Sequence, residues 1–269
     1  FDTSSVTTMF QMFFGCHGLE SLDISSFNTP LVTNMFQMLA DCFNLVSLDL
    51  SNFNTSSTTT MFQMFRCCRS LKSLNLSNFS TPKLTSNYEM FAQCNSLEIL
   101  DVSGLNTSSI NNMGRMFEGC SSLKSLNLSN FDTSKVTLFN DMFLGCNSLE
   151  ILDVSGLDTS SVTNMGNMFT GCNSLKSLNL SNFDTSKVIY MDNMFKDCQS
   201  LEILDISNFD TSLALNFQHM FANCYNLKSI DISHFNTPNV DNMYGMFENC
   251  YSLEYLELGN WETSSVTNI

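Results

Sequence analysis

Hydrophobic positions recur in this chain on a fixed 26-residue grid from Phe1 to Asn260, with no insertion or deletion, and two local periods alternate inside each unit. Around Leu126 and Leu128, or Leu178 and Leu180, apolar residues alternate with Asn or Ser, which predicts a short half-buried strand ended by a Ser-Asn or Ser-Gly turn. The other half of the unit is spaced differently. Val162, Met165, Met168, Phe169 and Cys172 fall at i, i+3, i+6, i+7 and i+10, which predicts a helix of about two turns with Asn164 at its N-cap.

Aligned, the ten units read close to F-[DN]-T-S-x-V-T-x-M-x-x-M-F-x-x-C-x-S-L-x-x-L-[DN]-[LIV]-S-N, followed by a partial eleventh over 261–269. Positions are numbered 1 to 26 within a unit, so that Phe27 opens repeat 2. Position 19 is Leu and position 12 Met in all ten units, and position 3 is Thr from Thr3 to Thr263. Self-similarity at this period indicates a solenoid, in which equivalent residues of successive units share one environment. The expected architecture is a right-handed α/β solenoid of ten coils, resembling a leucine-rich repeat, with a parallel sheet on one face and short helices on the other. At a strand spacing of about 4.8 Å, ten coils make a rod about 50 Å long. The chain neither begins with Met nor stops at a unit boundary, so it reads as a segment of a longer protein.

Position 20 supports stacking in register. From Lys72 to Glu254 it alternates between Lys and Glu, as neighbouring strands require if like charges are not to face one another. Position 21 follows the same two-unit rhythm, with Ser125, Ser177 and Ser229 alternating with Ile99, Ile151 and Ile203, which points to a duplicating unit of 52 residues.

Charge narrows the function. With 11 Lys+Arg against 26 Asp+Glu the net charge is −15, which disfavours nucleic acid. No unbroken apolar run approaches the roughly 18 residues of a membrane span, and no cofactor motif occurs. His17, His219 and His234 share no column and converge on no repeated nucleophile or carboxylate, so catalysis is not expected.

Ten of the 11 cysteines occupy position 16: Cys16, Cys42, Cys68, Cys94, Cys120, Cys146, Cys172, Cys198, Cys224 and Cys250. One thiol per coil, with no C-x-x-C pair, argues against zinc, and parallel stacking holds the Cβ atoms too far apart for an unstrained bridge. A ladder of buried free thiols is expected, with Cys67 outside it and exposed.

Most Phe and all 17 Met fill columns that belong to the core. Position 10 is different: Phe10, Phe36, Phe62 and Tyr88 occupy it in the first four repeats, flanked by Gln11, Gln37 and Gln63, whereas Gly114, Asn140, Gly166, Asp192 and Gln218 follow. This run resembles a partner-binding stripe, or else reflects local repacking of rotated helices. Position 23 points outward and carries Asp23, Asp49, Asp101, Asp153, Asp205 and Asp231, interspersed with Asn. It is a solvated acidic strand face, open to a basic partner or loosely held Ca²⁺, although no loop has dedicated calcium spacing. The Thr column is expected to satisfy backbone groups in local turns, as Pro30, Pro82 and Pro238 beside it suggest, rather than to present an ice-binding array.

The run F-D-T-S-K-V-T…M-F-x-G-C-x-S-L-x-x-L-D-[LVI]-S, seen at Phe131 to Thr137, Met142 to Leu149 and Leu152 to Ser155, resembles the 26-residue bacterial surface-protein repeat of the BspA-like leucine-rich-repeat group. The resemblance covers the whole chain. It implies a non-enzymatic secreted or cell-surface protein, an adhesin or interaction scaffold for protein or cell-surface ligands, with no catalytic residues to carry over. A structural stalk that stacks end to end with further repeats of the same protein is the alternative.

Overall fold

The computed structural model describes residues 2–269; Phe1, the first of the position-1 phenylalanines, lies outside the described residues. One strand forms per repeat, from β1 (Ser21–Leu22) and β2 (Ser47–Leu48), through β3 (Ser73–Asn75), β4 (Ile99–Asp101), β5 (Ser125–Asn127), β6 (Ile151–Asp153), β7 (Ser177–Asn179) and β8 (Ile203–Asp205), to β9 (Ser229–Asp231) and β10 (Tyr255–Glu257). Ten strands 26 residues apart bound about nine turns of a parallel β-solenoid. The pairing joins equivalent residues, Ser73 to Ile99 and Leu126 to Leu152 among them, so the columns lie in register.

The three-residue strands turn their middle residue inward and their first residue out, and β1 and β2 turn Leu22 and Leu48 inward in the same way, as the period-two pattern requires. Hydrogen bonding groups the strands into five parallel pairs rather than one continuous sheet, β1 with β2 through β9 with β10. That grouping follows the two-repeat sequence rhythm. Within a pair the position-20 amide of Glu98, Glu150, Glu202 or Glu254 donates to the preceding Lys carbonyl at 2.9 Å. The alternating Lys and Glu side chains form no direct ion pair among the described residues, so their attraction acts across solvent.

The predicted helices are absent among the described residues. The segment from position 9 to position 16 is instead a run of tight turns in which alternate amides have different destinations. In repeat 5, Met116, Glu118 and Cys120 donate back three residues, to Met113, Arg115 and Phe117, whereas Met113, Arg115, Phe117 and Gly119 donate to carbonyls of repeat 6 at 2.7–3.1 Å. A helix would send every amide four residues back along its own chain. Here half of them bind coil to coil. The flip is made by left-handed residues at positions 11 and 15 of every repeat, with φ from 50° at Gln37 to 74° at Gly171. Asn164, placed at an N-cap, caps one such turn by accepting the Gly166 amide at 2.9 Å.

The apolar spacing nevertheless marked the buried residues correctly. Positions 6, 9, 12, 13, 16 and 19 line one continuous core through the inner repeats. Phenylalanines at position 13 stack from Phe65 to Phe221 with centroids 5.6–5.8 Å apart and planes within 10°. Steps of that length admit offset ring contact. A seam interrupts the order between repeats 4 and 5. The single-residue parallel bridge at position 8 links its neighbours elsewhere but does not join Ser86 to Asn112. Asn87, which replaces a core Met there, is fully buried with its Oδ1 unpartnered.

The threonine column behaves differently from expectation. Thr3 to Thr237 are at most 5% exposed. Thr107 Oγ1 donates to the Asp132 carbonyl of the next repeat at 2.9 Å and accepts the Asp132 amide at 2.8 Å, and Thr159 and Thr185 do the same to Asp184 and Asp210. The hydroxyls therefore stitch coil to coil. Local turns are capped by position 2 instead, where Asp132 accepts the Ser134 amide.

Candidate functional site

The aromatic residues of position 10 meet as a surface ladder. Phe10, Phe36, Phe62 and Tyr88 lie with centroids 5.2, 5.1 and 5.4 Å apart. Phe10 is exposed and the other three are half-buried. Each phenylalanine is fixed from both sides. The position-8 side chain accepts its amide, as Asn34 does for Phe36 at 2.9 Å, and the next residue is left-handed. The stripe is thus not the repacking of rotated helices.

A second ladder runs alongside. Gln11 Nε2 donates to Gln37 Oε1 at 2.6 Å, Gln37 to Gln63 at 2.5 Å and Gln63 to Glu89 at 2.5 Å. Identical amides stacked one coil apart pass donors in a single direction, which fixes the side chains and supports the rings beside them. The ladder ends at Glu89, buried between Arg66 at 3.3 Å and Arg115 at 3.7 Å. Burial, with Glu89 next to it, pushes the Tyr88 phenol up. Beyond it Gly114 carries no ring, and the stripe stops. Tyr244 in repeat 10 is exposed and, among the aromatic side chains of the described residues, meets only His219, edge-on at 5.0 Å.

The acidic strand column has a local task. Asp23, Asp49, Asp101, Asp153, Asp205 and Asp231 each accept the amide of the serine two residues on, at 2.8–3.1 Å. The Ser25 hydroxyl and amide hold the Asp23 carboxyl below its usual range, and Ser155 and Ser233 act likewise on Asp153 and Asp231. Asn75 and Asn127 make the same bond, which explains why Asp and Asn interchange. These residues cap the turn that ends each strand. No group of three or more His, Cys, Asp or Glu side chains able to hold a metal is found among the described residues.

The thiol ladder forms through its inner repeats, from Cys42 to Cys224, all buried and free. Each thiol donates to the position-13 carbonyl of the preceding repeat, as Cys146 does to Phe117 at 3.2 Å and Cys172 to Phe143 at 3.4 Å. Two expectations fail at specific places. Cys16 is exposed and Cys250 half-buried, each in a repeat that a full repeat covers on one side only among the described residues. Cys67 is buried, not exposed: it occupies left-handed position 15 in one column with the longer Asp41 and Gln93.

Burial pushes the Cys146 and Cys198 thiols up to about 12. Three consequences follow for the native chain. A thiol reagent should modify Cys16 at once and Cys250 more slowly, leaving the other nine of 11 cysteines until unfolding. The thiols' contribution to stability should be level below pH 9.0 and fall as pH rises toward about 12, where unfolded thiols ionise and buried ones do not. Cys146→Ser should cost about 1–2 kcal/mol by placing a stronger hydroxyl dipole in an apolar column. Rapid native labelling of Cys146 would contradict all three.

Comparison with known proteins bears on this geometry. Three overlapping stretches, residues 1–99, 85–202 and 172–269, match the family described as "Mycoplasma protein of unknown function, DUF285". No curated protein matches the chain. Among solved structures, a leucine-rich cell surface protein from Faecalibacterium prausnitzii is similar at 19% identity over 97% of this chain and 78% of its own, with a TM-score of 0.49. A leucine-rich repeat protein from Bacteroides ovatus is similar at 19% identity over 97% and 77%, with a TM-score of 0.40. One from Eubacterium ventriosum aligns at 16% identity over 96% and 76%, with a TM-score of 0.43. Matched by its family model from end to end, the chain belongs to the DUF285 family, built on the 26-residue, BspA-like repeat that its motif resembles.

Proposed function

We propose that this protein is a non-enzymatic extracellular or cell-surface scaffold, coiled right-handedly, that binds a protein ligand through the stripe Phe10, Phe36, Phe62 and Tyr88. The observation that carries this reading is the stripe's placement. Four aromatic rings line up at the surface, Phe10 exposed and the other three half-buried, beside a ladder of hydrogen-bonded glutamines. Contiguous exposed aromatic surface is what interface centres are made of, and rings fixed in advance lose little entropy on binding. Among the described residues no helix is long and apolar enough to cross a membrane.

The test is adhesion of beads coated with the 269-residue chain to intact cells, before and after the cells are shaved with protease. Phe36→Ser with Phe62→Ser is expected to lower adhesion at least about tenfold, since two central aromatic anchors are lost. The pair is half-exposed, so melting should move little. Unchanged adhesion by a folded double variant retires the stripe, and adhesion indifferent to protease retires a protein ligand.

A second reading has its own observation. Strand pairing joins equivalent residues of successive repeats, as Leu126 with Leu152. The same register continues from copy to copy when solenoids stack end to end in a stalk, which sizing would reveal as open-ended, concentration-dependent assembly.

A further inference from the structure

The strand wall carries a pattern that the aromatic stripe does not use. Position 20 is exposed in repeats 3 to 10, with lysine in odd repeats from Lys72 to Lys228 and glutamate in even repeats from Glu98 to Glu254. Bulk alternates beside it at position 21: Ile99, Ile151 and Ile203 are 68–69% exposed, and serines lie between them. Four of the chain's 11 Lys and Arg stand in this column, and none of its eight charges enters an ion pair within the chain among the described residues.

We propose that this wall binds a second copy of the chain, with the two solenoids antiparallel about a two-fold axis. Symmetry decides the arrangement. An axis along the solenoid sets each repeat against itself, lysine row over lysine row. An axis parallel to the strands but centred on a repeat also pairs like with like. An axis parallel to the strands and falling between two repeats always sets an odd row against an even one. Placed between repeats 6 and 7, it matches all eight rows, from Glu150 opposite Lys176 of the second copy out to Lys72 opposite Glu254. The same operation seats each exposed isoleucine over a serine, Ile151 over Ser177, and at position 23 sets Asp153 and Asp205 against Asn179 and Asn127 of the second copy, with Asp101 opposite Asp231 the one like-charged contact. Alternation in charge and bulk is thus self-complementary in one register and repulsive in the neighbouring one, which is how a surface specifies its partner.

The wall is also accessible. On the opposite side, amides at positions 11, 13 and 15 bond every step from repeat 5 to repeat 10 at 2.7–3.0 Å. The strand side opens between repeats 6 and 7 and between 8 and 9, into clefts of about 350 and 310 Å³ bordered by Ile151 and Ser177 and by Asp205 and Asp231. Strand pairing is therefore interrupted on this side, and its exposed column is open to a facing copy. Eight rows at about 4.8 Å and four positions at about 3.3 Å give about 500 Å² per copy. Twice that is the low end for a specific interface, so the dimer is reversible and depends on its charges.

Sedimentation of the 269-residue chain from micromolar to millimolar concentration tests the proposal. In low salt a monomer–dimer equilibrium that stops at two is expected, with dissociation rising several-fold at about 1 M salt, where the screening length is about 3 Å. The variant E98K/E150K/E202K has a lysine wall, and K124E/K176E/K228E a glutamate wall. Each alone should remain monomeric, while an equimolar mixture restores a one-to-one dimer, a result that stabilisation within one chain cannot produce. Should the charge variants not fold, I99S/I151S/I203S keeps every charge and is expected to weaken the dimer at least about tenfold, because three apolar contacts are removed. Wild-type chain that stays monomeric or grows without limit, a single-sign variant that dimerises like wild type, or a mixture that does not pair overturns the proposal. The outcome is independent of the aromatic stripe.

Discussion

Thr159→Val should lower the unfolding free energy by about 3 kcal/mol, although it exchanges one side chain for another of nearly the same shape. Thr159 is 2% exposed, its hydroxyl donates to the Asp184 carbonyl at 2.9 Å, and the same oxygen accepts the Asp184 amide at 2.8 Å. Neither backbone group has another partner among the described residues. Valine therefore removes two bonds and leaves a donor and an acceptor facing methyl groups, at about 1–3 kcal/mol per unsatisfied buried group. Thr159→Ser keeps the hydroxyl and should cost about 1 kcal/mol for the lost methyl. Urea unfolding of the two variants separates the contributions, with the slope m unchanged if both fold as wild type does. A valine variant within about 0.5 kcal/mol of wild type would falsify the coil-to-coil role of this column, since surface substitutions fall in that range. Because each repeat touches only its neighbours, the loss should weaken the step between repeats 7 and 8 and leave distant steps intact.

What could be read from the sequence was burial, and what could not was the route of the backbone between buried points. Leu19, Met12 and Cys16 columns announced a shared interior because every copy carries the same residue, and the structure places them in one core through the inner repeats. The helix was misread for a physical reason. A chain that turns inward about every three residues buries i, i+3, i+6, i+7 and i+10 whether it coils as a helix or bends through successive turns. A finer signal was available in the left-handed columns. Position 11 reads Gln, Gln, Gln, Glu, Arg, Asp, Asn, Asn, His, Gly and position 15 reads Gly, Asp, Cys, Gln, Gly, Gly, Gly, Asp, Asn, Asn, without one β-branched residue or proline in twenty places. Such a column is what φ near +60° selects, and an exposed helical position would have admitted Val, Ile or Thr. The aromatic stripe was legible because it breaks the repeat at Phe10, Phe36, Phe62 and Tyr88. The hydrogen-bonding duties of the Thr, Cys and Asp columns were not, because each partner lies about 25 or 29 residues away or in a turn whose geometry no periodicity reports.

Gly145→Val distinguishes the two backbone routes by sign. In the interior of a helix glycine is about 1 kcal/mol worse than alanine and valine is better than glycine, so this change would stabilise a helical segment. Gly145 has φ +73°, and its amide donates to the Thr170 carbonyl of the next repeat at 2.7 Å. A Cβ built there would meet only Gly119 atoms, the nearest at 3.7 Å, so space is not the obstacle. The backbone is. A left-handed conformation costs an ordinary residue about 1–2 kcal/mol and a β-branched one more, and relaxing it would swing the amide away from Thr170. A loss of about 2–3 kcal/mol is therefore expected, reduced by the few tenths that valine gains from a stiffer unfolded chain. Gly145→Asn is the matched control, because Asn223 and Asn249 occupy the same column at φ 62° and 58°, and it should stay within about 0.5 kcal/mol of wild type. The decisive quantity is the difference between the two variants in one denaturant series: a valine chain more stable than the asparagine chain would mean that these amides do not run from coil to coil.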